Sequence, residues 1–98
     1  MAATDLFVWD ERKRATNMRK HGVDFSLAEQ FDFAAAATIA DDQRDYGEVR
    51  FRAFGAVAGR VYVIVFTRRG NQVRIISVRK ANAREIVRYA PDQEKEAD

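Results

Sequence analysis

Apolar and polar positions follow two rhythms along this chain, and the change falls near Glu48. Before it, apolar residues come in short clusters separated by charged stretches. After it, they alternate with basic residues in the period-two pattern of strands. "LFVW", Leu6 to Trp9, reads as a short strand. Asp10 then caps a helix of about three turns, with Glu11 in its first turn. Gly22 ends that helix, and Val23 and Phe25 are placed to pack back onto it. "SLAE" has capping-box spacing, with Ser26 as the cap and Glu29 at the third helical position. A second, short helix is therefore expected over 26–33, with Leu27, Ala28 and Phe31 as its apolar stripe. "AAAATIA" suits either helix or strand, and a strand is expected around Ala37–Ala40, before the polar loop "DDQRDYGE".

Beyond that loop the pattern is β throughout. "VRFRAFGAV", Val49 to Val57, alternates apolar and basic, and "AGR" makes a turn. "VYVIVFT", Val61 to Thr67, is apolar on both faces and reads as a central strand. Gly70–Asn71 is a hairpin signal, and "VRIISVR", Val73 to Arg79, is the last strand. The chain closes on the helix "NAREIVRYA", capped by Asn82 with Glu85 three residues later. The order predicts an α+β fold: a small antiparallel sheet with N-terminal helices and a C-terminal helix. Residues 1–91 form one domain, and 92–98 an acidic, flexible tail.

Composition narrows the chemistry. The 98 residues include no cysteine and one histidine, which removes disulfides, thiolate chemistry and the usual zinc sites. No metal or other cofactor is expected. No apolar run approaches the ~18 residues of a membrane span, no secretion signal is visible, and a cytoplasmic protein without a membrane partner is expected. The net charge of +2 hides an asymmetry: residues 1–91 carry 16 basic and 11 acidic groups, a net of +5. Between Glu48 and Glu85 stand nine basic residues and no acidic one. Arginine outnumbers lysine 13 to 4, which favours bidentate contacts to phosphate or carboxylate. Such a footprint suits a polyanion such as RNA; an acidic protein partner, or a solvated sheet face, is the alternative.

Two stretches could carry chemistry. Lys13, Asn17, Lys20 and His21 fall within about 100° of the first helix, a polar face that is either solvated or lines a site. His21 has two readings that the sequence leaves open, a helix C-cap and a proton-transfer group. In "RIISVRKANAREIVRY", Arg79 and Lys80 end a strand beside a helix N-terminus, where an anion is favoured. Glu85 and Tyr89 share the next helix face. A phosphate held by Arg79 with Tyr89 nearby makes an RNA-cleaving site, since cleavage by the 2′-hydroxyl needs only a base, an acid and cationic stabilisation. The bland readings are Glu85 as a capping residue and Tyr89 as a half-buried anchor.

The blocks "FVWDERKRATNMRKHGVDFSLA" and "RIISVRKANAREIVRY" resemble the BrnT family of type II toxin–antitoxin toxins. Trp9, Asp10, Lys13, Asn17, Lys20, His21, Gly22, Val23, Phe25 and Ala28 carry the first block. Glu48, Arg50 and Gly55 match in mid-chain, and Arg74 to Ser77, Arg79 to Ala81, Glu85 and Tyr89 match behind. Val78 departs from the alanine usual there. The resemblance implies a RelE-like fold and a bacterial ribonuclease that blocks translation without metal. It also implies a BrnA-like antitoxin partner, with DNA engaged only through the antitoxin complex. The expected site has Arg79 as phosphate clamp and transition-state stabiliser. Tyr89 and His21 are the proton-transfer candidates. Glu48 is a general base, or orients Arg50 from the same strand face. Lys20, Arg50, Arg74 and Lys80 contact RNA phosphates. The competing hypothesis is a non-catalytic module that uses the same basic surface to bind nucleic acid or an acidic protein.

Overall fold

The computed structural model describes residues 6–41 and 48–92. Most of the polar loop "DDQRDYGE", and the tail beyond Asp92, lie outside the described residues. Five strands form one sheet: β1 (Phe7–Val8), β2 (Ala37–Asp41), β3 (Arg50–Val57), β4 (Arg60–Arg69) and β5 (Gln72–Lys80). Helix α1 (Glu11–His21) follows β1, a 3₁₀ helix (Phe25–Gln30) follows α1, and α2 (Ala83–Tyr89) closes the fold. The strand order is β1-β5-β4-β3-β2. The architecture is α+β, but the sheet is mixed rather than antiparallel, because β1 runs parallel to β5. A meander can only give antiparallel neighbours. The parallel pair arises because everything between β1 and β5 intervenes before the chain returns to that edge.

The local signals explain most elements. Asp10 caps α1 by accepting from the backbone N–H groups of Arg12 and Lys13, and Gly22 closes it at φ +69°. The two-residue loop Ala58–Gly59 has positive φ at both positions, the signature of the hairpin turn whose twist matches its strands. The expected capping box at Ser26 is not formed. Asp24 caps the segment instead, accepting from the Phe25 N–H while Ser26 Oγ donates to its other oxygen. The segment winds as a 3₁₀ helix and stops at Gln30, short of the helix expected over 26–33. Its stripe still faces inward: Ala28 and Phe31 are buried, and Leu27 packs against the core.

That core lies on one face of the sheet. Ala53, Ile64, Phe66, Ile75 and Val78 meet Val23, Phe25, Ala28 and Phe31 there. Phe31 lies on Gly55, where an added Cβ would come within 2.9 Å of the ring. Helix α1 contributes almost nothing apolar to this core, and Met18 is 42% exposed. The residue it buries is Asn17, at the centre of the face expected to be either solvated or lining a site. Its Nδ2 donates to the carbonyls of Val23 and Val78, at 3.0 and 2.7 Å. Its Oδ1 accepts from the Val78 N–H at 3.2 Å and from Ser77 Oγ at 3.3 Å. One carboxamide thus uses all four of its hydrogen-bonding positions, and it pairs with β5 much as a neighbouring strand would.

Replacing Asn17 by Ala leaves the Val78 N–H and two carbonyls without partners, and should cost about 3 kcal/mol in a urea unfolding titration. Asn17→Asp should fare no better, since it cannot donate to either carbonyl. A loss below ~1 kcal/mol for both would show that α1 is held by something else. Gly55→Ala should cost ~1–3 kcal/mol through its clash with Phe31.

Candidate active site

Residues directly opposite in paired strands project to the same face. On the face away from the core, three rows follow from the register: Arg50–Thr67–Arg74, Arg52–Val65–Ser77 and Phe54–Val63–Arg79. Five residues separate Arg74 from Arg79, which strict alternation would put on opposite faces. A β-bulge at Ile76, between the pairs Val65–Ser77 and Phe66–Ile75, adds the extra residue that brings both arginines onto one face.

Helix α2 sits at one end of this face. Tyr89 stacks on the fully buried Phe54 ring, with centroids 4.3 Å apart and an interplanar angle of 20°. The Arg88 guanidinium lies 5.6 Å from the Tyr89 ring and that of Arg52 lies 5.9 Å from Phe54. Among the described residues the Tyr89 hydroxyl has no hydrogen-bond partner.

Glu85 joins α2 to the sheet. It forms the expected capping box with Asn82 and also accepts two bonds from Arg79, Nη1 at 2.9 Å and Nη2 at 2.8 Å. Arg79 Nη1 donates in addition to the Lys80 carbonyl at 3.3 Å. These bonds use both Nη1 hydrogens and one on Nη2. Among the described residues nothing engages the Nε–H and the remaining Nη2–H, which lie on the same edge of the planar group, a fork suited to two oxygens of one phosphate. The Arg79 side chain is 29% exposed. Hydrogen bonds from Arg79 hold the Glu85 carboxyl below its ordinary range, helped by the Asn82 N–H and the charge of Arg52. The same contact raises Arg79 further above an already high value.

The other expected site residues divide. Arg50 and Arg74 share the open face with Arg79. Lys80 pairs with Tyr62 and faces the core side, at the exposed end of β5. Helix α1 runs in the direction of β5, since Asp10 feels the charge of Arg74 and Asn17 meets Val78. Lys20 and His21 therefore come level with the Lys80 end of the strand. His21 is exposed, and the hydrogen bond that closes the helix is donated by the Gly22 N–H to the Met18 carbonyl, not by the imidazole. Glu48 lies before β3, and its carboxylate reaches Arg69 at 3.4 Å.

Arg52 is the member of this face that sequence reading passed over. Its Nε is buried and, among the described residues, has no hydrogen-bond partner. The alternation of "VRFRAF" already put it on the face of Arg50. Among the described residues no three His, Cys, Asp or Glu side chains are grouped to hold a metal ion, and no helix is long and apolar enough to cross a membrane.

A carboxyl whose pKa is depressed on folding stabilises fully above its unfolded value, and the contribution is lost as pH falls through the folded one. Glu85 and Asp24 are both depressed, Asp24 mainly by Arg14. Stability should therefore fall as pH drops below about 4.5. In urea titrations between pH 6 and pH 3, Glu85→Gln should show a smaller fall than the parent chain. Equal falls would mean that the Arg79–Glu85 pair contributes nothing.

A family model described as "Ribonuclease toxin, BrnT, of type II toxin-antitoxin system" matches residues 9–85. The match takes in Asn17, Gly55, Arg79 and Glu85 and stops before Tyr89. A search of curated proteins finds no match. Over most of its length, from the cap of α1 to the carboxylate that orients Arg79, the chain belongs to the BrnT family of type II toxin–antitoxin ribonuclease toxins.

Proposed function

We propose that the chain is a metal-independent endoribonuclease of the cytoplasm that halts translation by cutting RNA and is neutralised by a BrnA-like antitoxin. Family membership supports a ribonuclease activity and an antitoxin partner; the site and the reaction are our reading. The observation that carries it is the Nε/Nη2 edge of Arg79, unengaged among the described residues and fixed in direction by Glu85, on the short helix that also carries Tyr89.

RNA lies along the open face, with Arg50, Arg52 and Arg74 attracting its phosphates and Lys20 and Lys80 extending the basic surface past the β5 end. Arg79 grips the scissile phosphate. The 2′-oxygen attacks phosphorus and its proton passes to water. The P–O5′ bond breaks as Tyr89 gives its proton to the departing 5′-oxygen, then regains one from solvent. The products are a 2′,3′-cyclic phosphate and a 5′-hydroxyl. Charge accumulates on the phosphoryl oxygens during attack, and a guanidinium already oriented by Glu85 meets it without reorganising. This assignment leaves His21 as the basic end of α1, favourable to the helix dipole, and leaves Glu48 out of the chemistry.

The test is cleavage of an end-labelled single-stranded RNA in the presence of EDTA. Cleavage should persist and leave cyclic phosphate ends. Arg79→Ala should lose at least ~100-fold. Tyr89→Phe keeps the stack on Phe54 and should lose ~10-fold or more. Folded His21→Gln should cleave like the parent. Loss of cleavage in EDTA would overturn the metal-independent reaction. Unchanged cleavage by both Arg79→Ala and Tyr89→Phe would overturn the site.

A further inference from the structure

Helix α1 has one carboxylate of its own, Glu11, which accepts from Trp9 Nε1 and from Arg14. Asp10, just before it, caps the helix through the Arg12 and Lys13 N–H groups. Arg14 reaches on to Asp24 at 2.9 Å. The other four cations, Arg12, Lys13, Arg19 and Lys20, are exposed, and among the described residues none of them forms an ion pair. They fall into two pairs, Arg12 with Arg19 and Lys13 with Lys20, each seven residues apart. Seven residues make close to two turns, so the members of a pair share a flank and stand about 10 Å apart along the axis. Thr16 sits between the pairs, its Oγ1 accepting from Arg19 at 3.3 Å.

We propose that this flank of α1 is a second RNA site, which holds a double-helical segment by its phosphates beside the face where a single strand is cut. Four cations without ion-pair partners call for a polyanion. A protein partner would need an apolar centre to dock on, and the flank offers none. Met18, the exposed apolar residue of α1, lies on the far side of the helix from Arg12, Thr16 and Lys20. Single-stranded RNA is gripped by rings on which its bases stack. The flank has no ring either, since Trp9 packs edge-on against Phe25. What it can meet is phosphate alone. Two cation pairs two turns apart suit a groove with a phosphate rim on each side, and the narrow major groove of A-form RNA brings its rims close together.

The position of the flank follows from the contacts of α1. Asn17 points at β5, Arg14 lies about 60° to one side of it on the helix, and Lys13 and Lys20 lie about 40–60° to the other. Arg14 is turned to Asp24, the cap of the 3₁₀ helix that covers the core face of the sheet. The lysine flank is therefore turned towards the opposite, arginine-bearing face. Asp10 feels the charges of both Lys13 and Arg74, which sets the two cations side by side across this border. A strand that leaves a duplex held on α1 passes directly onto Arg74 and Arg50. The preferred substrate is then a single strand next to a double-helical segment. That placement of the cut rests on the ribonuclease reading; the binding of a duplex does not.

The probe is a blunt, labelled RNA duplex of about 16 base pairs, titrated with the full chain and followed by fluorescence anisotropy. Arg12→Gln with Arg19→Gln should weaken binding at least ~tenfold and flatten the dependence of log K on log salt by about 2. Arg12→Lys with Arg19→Lys keeps the charge and should bind like the parent chain. Arg60→Gln with Arg68→Gln removes the same charge from the core face of β4 and should also bind like the parent. A DNA duplex of the same sequence, with its wider major groove, should bind more weakly. The proposal is overturned if the Arg12/Arg19 glutamine variant binds the RNA duplex unchanged, or if the β4 pair loses as much. It is also overturned if DNA binds equally, or if poly-glutamate of matched charge displaces the duplex, which would make the flank a protein dock. In cleavage assays the Arg12/Arg19 glutamine variant should cut an unstructured RNA like the parent, but should cut the same strand joined to a hairpin ~tenfold more slowly. Cleavage that ignores the hairpin overturns the placement beside the arginine face. Duplex binding with the stated losses, and no cleavage of any RNA, would leave the α1 site standing and remove the ribonuclease reading.

Discussion

A strand at the edge of a sheet has backbone groups that must be paired, and in this protein the rest of the structure depends on how β5 meets that demand. Strand β1 is only two residues long and pairs with Val73 and Arg74. Beyond it, β5 would expose the Val78 amide and carbonyl. Asn17 supplies both partners from the middle of α1 and ties in the Val23 carbonyl after the helix. This fixes the position of a helix that has no apolar stripe of its own. With α1 pinned by a polar contact at its centre, Trp9 before it and Val23 and Phe25 after it are delivered to the core. The helix lies along the sheet's edge, which leaves the second face open.

What that open face presents is decided by a single extra residue. Ile75 and Val78 are both buried although three positions apart, and Arg74 and Arg79 share the opposite face although five apart. Both facts follow from the bulge at Ile76. Without it, a strand that kept Val78 in the core would turn Ile75 outward and Arg74 inward. The bulge thus reconciles the core with a basic face, and it lies between the two arginines. The aromatic pair Phe54–Tyr89 then fixes the C-terminal helix at one end of that face, so that Glu85 reaches Arg79 across the junction.

Much of this was legible in the chain. Caps at Asp10 and Asn82, the glycine stop at Gly22, the turns at Ala58–Gly59 and Gly70–Asn71 and the central strand β4 all rest on local chemistry, and local chemistry is what a sequence displays. Three things were not. The pairing of β1 with β5 is a contact between distant segments, and no spacing announces it. Ser26 lost the cap to Asp24 because two oxygens on one aspartate could serve both the backbone and the Ser26 hydroxyl, while Arg14 held the carboxylate in place. The inward face of α1 was read by polarity, whereas the surface it meets is a row of backbone groups rather than side chains. A lone asparagine among strong helix formers was the available clue, since asparagine is a poor choice for a solvated helix interior. At the site, the sequence singled out Arg50, Arg74, Arg79 and Tyr89; the three arginines share one sheet face, and Tyr89 stacks on Phe54 at one end of it. It could not separate Lys20, His21 and Lys80, which sit at the strand's end.

A carboxylate inside a basic face looks like a defect in a surface meant for polyanions, and the geometry of Arg79 explains why it is useful. An arginine alone on this face would lose side-chain freedom each time it gripped a phosphate. Glu85 takes that freedom away in advance, and it does so through the end of the guanidinium that leaves the Nε edge clear. Its own position is set by the Asn82 capping box, so the direction of Arg79 is tied to the first turn of α2. The same turn leads, four residues on, to Tyr89. One short helix therefore fixes both the cation and the hydroxyl, and the distance between them is a property of the helix rather than of two independent loops. The charge of Glu85 cancels part of Arg79, but Arg52 stands close enough to be felt by Glu85 and keeps the junction net positive. Preorganisation is gained and the attraction for an anion is retained, which is the combination that phosphoryl chemistry on fixed side chains requires.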